Sequence, residues 1–175
     1  LHQKDVKSYR DCSLTEYIQV VNSRALYQFL MEEGRSLYHQ TASESRFKDA
    51  ILTNLLHTSI VSGFADGSGQ LAIGHATYDY MRTYNTEKSL KYLHGELVAV
   101  GVLVQMYYNQ DTPEEIEAVR SLMLDLDMPV TLRDVDYEPT EENMRSLAQA
   151  ICDGCNITKP QEQEVILQAI HKIAG

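Results

Sequence analysis

Thr86-Glu87-Lys88-Ser89-Leu90-Lys91-Tyr92-Leu93-His94-Gly95-Glu96-Leu97-Val98-Ala99-Val100-Gly101-Val102-Leu103-Val104 is the stretch whose reading decides the fold. Leu90, Leu93, Leu97, Val98, Val100 and Val104 recur at spacings near three and four, the period of a helix that buries one face. Thr86 is a suitable N-cap, since a threonine hydroxyl can accept a bond from an otherwise unpaired first-turn amide. The spacing predicts one helix over residues 86–109.

The same period extends in both directions. Residues 14–33 place Tyr17, Val20, Val21, Leu26, Tyr27 and Leu30 on a helical stripe, with Gly34 as the expected stop. Residues 43–62 repeat the pattern through Phe47, Ala50, Ile51, Leu55 and Ile60. The glycine-rich run Gly63-Phe64-Ala65-Asp66-Gly67-Ser68-Gly69 separates them from a third helix over 70–83. Thr112-Pro113-Glu114-Glu115 combines a capping residue, a first-position proline and first-turn acids, which starts a fifth helix to about residue 126. Met128-Pro129-Val130-Thr131-Leu132 reads as an extended connector, because proline biases the residue before it away from helix. Thr140-Glu141-Glu142 and Lys159-Pro160-Gln161-Glu162 open two more helices, the last ending near Gly175. No segment alternates as a strand between turn signals. The expectation is an all-α domain of about seven helices, single over residues 1–175.

Composition narrows the function classes. The chain has 175 residues, 43% hydrophobic and 23% charged, which excludes disorder and suits a buried core. Its 25 acidic and 15 basic residues give a formal net charge of -10. Nucleic-acid binding would need a local basic patch, and the sequence has none. No apolar run approaches the ~20 residues that span a bilayer, and Leu1-His2-Gln3-Lys4-Asp5 carries no apolar signal-peptide core. A soluble, cytoplasmic protein without membrane contact is expected. The first residue is Leu rather than Met, which fits either processing or a piece of a longer protein. No strand precedes a G-x-G-x-x-G, and no Walker loop or G-x-S-x-G elbow is present, so no nucleotide-binding domain is expected within the chain.

Cys12, Cys152 and Cys155 are read as free thiols. Cys152-Asp153-Gly154-Cys155 is a lone C-x-x-C without a partner pair, and Gly154 and Asn156 favour a helix end with a left-handed cap over a metal or redox motif. Of the histidines, His2, His39, His57 and His171 stand in no motif. His75 follows Gly74, where small neighbours let a ligand or backbone approach closely. His94, if helical, would have Leu90, Leu97 and Val98 as neighbours and would point inward. Spacing alone favours a hydrogen-bonded core histidine over a metal ligand for each, since nineteen residues between imidazoles match no short zinc motif. Glu96 is either an outer partner of an imidazole or a solvent-facing helix residue. Tyr78, Tyr80, Tyr84, Tyr92, Tyr107 and Tyr108 read first as packing with wet hydroxyls, and Glu114-Glu115 and Glu141-Glu142 as complements of helix dipoles.

Taken in order, Ser62-Gly63-Phe64, Gly67-Ser68-Gly69-Gln70-Leu71-Ala72-Ile73-Gly74-His75, Tyr92-Leu93-His94-Gly95-Glu96-Leu97-Val98-Ala99-Val100-Gly101 and Asp127-Met128-Pro129-Val130-Thr131-Leu132 resemble the C-terminal helical domain of the glycerol dehydrogenase-like branch of the iron-containing alcohol dehydrogenase and dehydroquinate synthase-like superfamily. The resemblance covers nearly the whole chain. It implies a dehydroquinate synthase-like helical domain that binds a divalent metal, zinc or iron, through His75 and His94. It further implies a small alcohol, polyol or hydroxy-acid substrate. In the family a separate N-terminal domain binds NAD(P), and that domain is expected to be missing from this chain. The family's remaining protein ligand, an aspartate, should lie N-terminal to this region, and nothing before Leu14 matches it. Tyr78 stands where close glycerol dehydrogenases often carry another histidine.

The implied function is therefore the metal- and substrate-binding domain of an NAD(P)-dependent alcohol dehydrogenase, inactive on its own. Rival readings are a non-catalytic interaction domain on the same scaffold, in which His75 and His94 are core residues, and a domain of a glycerol-1-phosphate dehydrogenase or dehydroquinate synthase-like enzyme. Zinc against iron, NAD against NADP, and whether the chain forms a homo-oligomer stay open at this level.

Overall fold

The computed structural model describes residues 6–57, 59 and 72–175. The chain divides into two compact units, Leu1–Gly69 and Gln70–Gly175. All regular structure among the described residues is helical, in agreement with the all-α expectation.

In the first unit, α1 spans Leu14–Tyr38. Ser13 caps it reciprocally: its hydroxyl accepts from the Glu16 N–H, while Glu16 Oε2 accepts from the Ser13 N–H at 2.8 Å. Gly34 does not end this helix. It lies buried inside it, and one interior glycine, at about 1 kcal/mol relative to alanine, cannot stop a helix with four more residues to run. The turn comes at Gln40, which adopts a left-handed φ of 57°. Helix α2, Glu44–Leu52, is capped by Ser43 and passes into a π-helical turn at Thr53–His57. The glycine-rich run at 63–69 and the expected helix end at Ser62 lie outside the described residues.

The second unit contains α3 (Ile73–Tyr84), α4 (Thr86–Ser89), α5 (His94–Tyr108), α6 (Pro113–Asp125), α7 (Glu141–Gly154) and α8 (Pro160–Lys172). Helix α5 is its centre, with Leu97, Val100, Leu103 and Val104 at most 1% exposed. It packs on α3, α6 and α8, while α7 joins α3 to α8. Met81, Leu147, Ile151, Ile166 and Ile170 complete this core, each side chain worth about 1.5–3 kcal/mol on burial. Helices α3 and α5 approach closely because Gly74 and Gly101 face each other: a Cβ on Gly101 would stand 2.7 Å from the Gly74 Cα.

The long helix expected over 86–109 is broken. A continuous helix would bond the Leu93 N–H to the Ser89 carbonyl. Instead the Ser89 carbonyl accepts from the Tyr92 N–H at 3.1 Å and from Arg82 Nη1 at 2.6 Å, and the Leu93 N–H donates to Glu96 Oε2 at 2.6 Å. Leu93 is left extended, at φ -70° and ψ 158°, as the residue before α5.

Other boundaries follow their signals. Thr112 and Glu115 form the expected capping box behind Pro113. The left-handed cap after α7 falls on Asn156, at φ 54°, rather than on Gly154, which closes the helix. The connector before residue 133 carries no regular structure at residues 128–130, but it is not extended to its end. It bends at residues 131–132, where Leu132 already has helical dihedrals, φ -64° and ψ -34°, and its N–H anchors the end of α8 by donating to the Ile173 carbonyl at 2.8 Å. Asp134 fixes its bend by accepting from the amides of Val130 and Thr131.

Candidate functional site

Helix α3 carries His75, Tyr78 and Arg82 at offsets of zero, three and seven, hence on one stripe. Its other face, with Ile73, Thr77, Tyr80 and Met81, is buried. The glycine contact between α3 and α5 sits next to His75 in the chain, so it sets how near the start of α3 comes to α5. His94 is the first residue of α5. Of the helical-wheel neighbours expected for it, Leu97 and Val98 share its helix but Leu90 precedes the break, and His94 is exposed rather than turned into the core.

The fold brings His75 and His94 together. Their ring centres are 5.6 Å apart with planes inclined at 49°. The Tyr78 ring meets His94 edge-on, with centres 4.2 Å apart. Behind Tyr78 lies the Arg82 guanidinium, 5.3 Å from that ring's centre. Arg82 also donates to two backbone carbonyls of the loop between α4 and α5, those of Ser89 and Tyr92, at 2.6 and 2.9 Å. The loop is held from the opposite side as well, where Lys91 Nζ reaches Asp136 Oδ2 at 3.0 Å. Glu96 takes neither role foreseen for it, because its carboxylate closes the start of α5 through the Leu93 amide.

The remaining candidates scatter. Among the described residues, no group of three or more His, Cys, Asp and Glu side chains stands in a metal-holding cluster. Cys152 and Cys155 are buried and form no disulfide, and burial raises both thiol pKa values, that of Cys155 to about 11. Such thiols stay protonated and unreactive at neutral pH. Tyr80 and Tyr137 share a buried hydroxyl network at 3.1 Å, with Ser146 accepting from Tyr80 and the Asn143 carbonyl from Tyr137. Tyr84 stacks near Tyr80, and Tyr92 and Tyr108 are partly covered. Glu115 serves its cap, Glu141 and Glu142 sit in the first turn of α7, and His171 lies 3.5 Å from Glu141. His39 packs against Tyr38, far from any motif. His2 and the side chain of His57 lie outside the described residues.

Arg82 was not apparent as a site residue from sequence. The available signal was its place on the His75 stripe, four residues beyond Tyr78, the spacing at which a helical cation can reach an aromatic ring.

No family model matches the chain. Curated relatives do. A glycerol dehydrogenase of Thermotoga maritima is 30% identical over 132 residues, covering 75% of this chain and 35% of that protein. A glycerol dehydrogenase of Escherichia coli O6:H1 is 32% identical over 128 residues, covering 72% of this chain and 34% of that protein. A glycolaldehyde reductase of Halobacterium salinarum is 26% identical over 132 residues, covering 73% of this chain and 34% of that protein. The chain thus spans about a third of the length of the curated relatives it matches.

Proposed function

We propose, for a chain that is homologous to the glycerol dehydrogenases over about three quarters of its length, that it is the metal- and substrate-binding domain of an NAD(P)-dependent alcohol dehydrogenase. The observation that carries this reading is the pairing of the His75 and His94 rings, 5.6 Å between centres, at the starts of two helices packed through Gly74 and Gly101. Two imidazoles that share one ion at bond lengths of ~2.0–2.1 Å have ring centres about 5 Å apart, so a small ring rotation brings this pair to that arrangement. Neutral imidazole suits zinc and iron alike. The pair would supply two of the four ligands of a tetrahedral site, and a carboxylate outside this region together with substrate oxygen or water would complete it.

The reaction moves a hydride from the carbinol carbon of a small polyol or 2-hydroxy acid to NAD(P)+, releases the hydroxyl proton and leaves a carbonyl. A divalent ion bound at the imidazole pair supplies Lewis-acid polarisation of the substrate oxygen. This chain's residues provide the frame. His75 and His94 fix the position of the reacting oxygen, and their exposure on the surface of Gln70–Gly175 leaves room for substrate. The glycine contact keeps α3 and α5 in register so that the two rings converge. Dinucleotide binding is assigned to a separate domain, and the 175-residue chain alone does not turn over substrate.

Zinc titration of the chain, followed by calorimetry, tests the pair. The reading expects zinc binding that His75→Ala and His94→Ala each abolish and His171→Ala leaves intact. Equal binding by all four proteins would overturn it.

A further inference from the structure

We infer that Tyr78 and Arg82 are positioning residues for His94: together they hold its imidazole beside that of His75. The inference builds on the imidazole-pair reading, but its geometry stands independently of any ion. His94 is exposed and is the first residue of its helix, so no surrounding core fixes where its ring points. Two connections do this instead. One runs ring to ring, from Arg82 at 5.3 Å to the Tyr78 ring and from Tyr78 at 4.2 Å to the His94 ring. The other runs through the backbone, from the same guanidinium to the carbonyls of Ser89 and Tyr92, the second only two residues before His94.

The chemistry of Arg82 suits both connections. Its planar fork presents separate N–H donors to two carbonyls at once, while its central carbon lies over the Tyr78 ring at 5.3 Å. The Ser89 carbonyl, which also accepts from the Tyr92 N–H at 3.1 Å, is thereby tied to α3 at the point where α4 ends and the loop to His94 begins. Lysine, with a compact ammonium, keeps the charge but cannot reproduce the forked pair of bonds. Phenylalanine at residue 78 keeps the ring that touches His94.

The experiment is carried out on the full 175-residue chain with the variants Arg82→Ala, Arg82→Lys, Tyr78→Phe and Tyr78→Leu. The first readout, without metal, is the nuclear Overhauser contact between the His75 and His94 ring protons. It is expected in the unmodified chain and in Tyr78→Phe, weakened in Arg82→Lys, and lost in Arg82→Ala and Tyr78→Leu. The second is zinc affinity by calorimetry, expected to fall about 10- to 100-fold in Arg82→Ala and Tyr78→Leu and to be retained in Tyr78→Phe. If Arg82→Ala does not fold, by circular dichroism, the Tyr78→Phe and Tyr78→Leu pair alone decides. Persistence of the ring contact in Tyr78→Leu would overturn the inference. A ring contact that responds as expected while the unmodified chain binds no zinc would overturn the metal reading and leave the positioning role standing.

Discussion

Gly101 of α5 packs directly on Gly74 of α3, so closely that a Cβ added at residue 101 would lie 2.7 Å from the Gly74 Cα and 2.7 Å from the Thr77 hydroxyl oxygen. No side-chain rotation relieves a contact with backbone. Thr77 cannot readily withdraw either, since it is fully buried and its hydroxyl donates to the Ile73 carbonyl at 2.9 Å. The helices must move apart to accept even one methyl group.

Gly101→Ala is therefore expected to destabilise the protein by about 1–3 kcal/mol, the range for overpacking a filled core. Gly95, one residue past His94, has nothing within 4 Å of its added Cβ. Gly95→Ala should be neutral or stabilising by up to about 1 kcal/mol, because alanine favours helix. Urea denaturation of both variants checks the contrast, and similar losses in the two would show that the close approach is not what matters.

Glu96 caps the start of α5. Its carboxylate accepts from the Leu93 amide, which starts α5 at His94. Glu96→Ala should cost about 0.5–2 kcal/mol of stability, whereas Glu96→Gln, whose amide oxygen still accepts, should cost less. Thermal melts of the two variants give the comparison. Equal loss would mean that charge, not the cap, is what residue 96 supplies.

Alkaline pH should unfold the protein through buried acids that stay protonated in the fold. Burial, followed by the Cys152 charge, lifts Cys155 from 9.0 to about 11. Burial and the hydrogen bond with Tyr80 lift Tyr137 well above its ordinary 10.0. For both groups the folded pKa exceeds the unfolded one. Their contribution is complete below the unfolded value and shrinks as the unfolded chain releases protons that the folded chain retains. Unfolding free energy should thus fall from about pH 9 upward for Cys155, with Tyr137 adding a decline above about pH 10. Cys155→Ala should flatten the segment between pH 9 and 11, and an unchanged slope in that variant would assign the loss elsewhere.

Much of this architecture was legible in residue periodicity and in short-range capping chemistry. Thr112-Pro113-Glu114-Glu115 names its helix start because the groups that satisfy the first-turn amides are neighbours in sequence. The break at residues 90–93 was not legible. The apolar spacing runs through it unbroken, and the bonds that replace the helical ones come partly from Arg82, a residue of the preceding helix α3, and partly from the Glu96 side chain. His94 consequently looked core-facing on a helical wheel, although it begins a helix on the surface. Gly34 misled in the opposite direction, since a glycine signals a stop only where the chain must turn left-handed, and that occurs at Gln40. Motif order, rather than periodicity, singled out His75 and His94 as a pair, and their convergence depends on the α3–α5 contact that no local pattern records.

The central claim is that the imidazoles of His75 and His94 form the metal side of an alcohol dehydrogenase site. It is tested most directly by polyol- and hydroxy-acid-dependent reduction of NAD(P)+ by the metal-loaded full-length protein that carries this chain. Measurements are made before and after His94→Ala, with cofactor affinity titrated on the same samples. The account predicts loss of turnover by at least about 100-fold, with cofactor affinity nearly unchanged, since the lost group serves the reacting oxygen and not the dinucleotide. Full turnover in His94→Ala would contradict it.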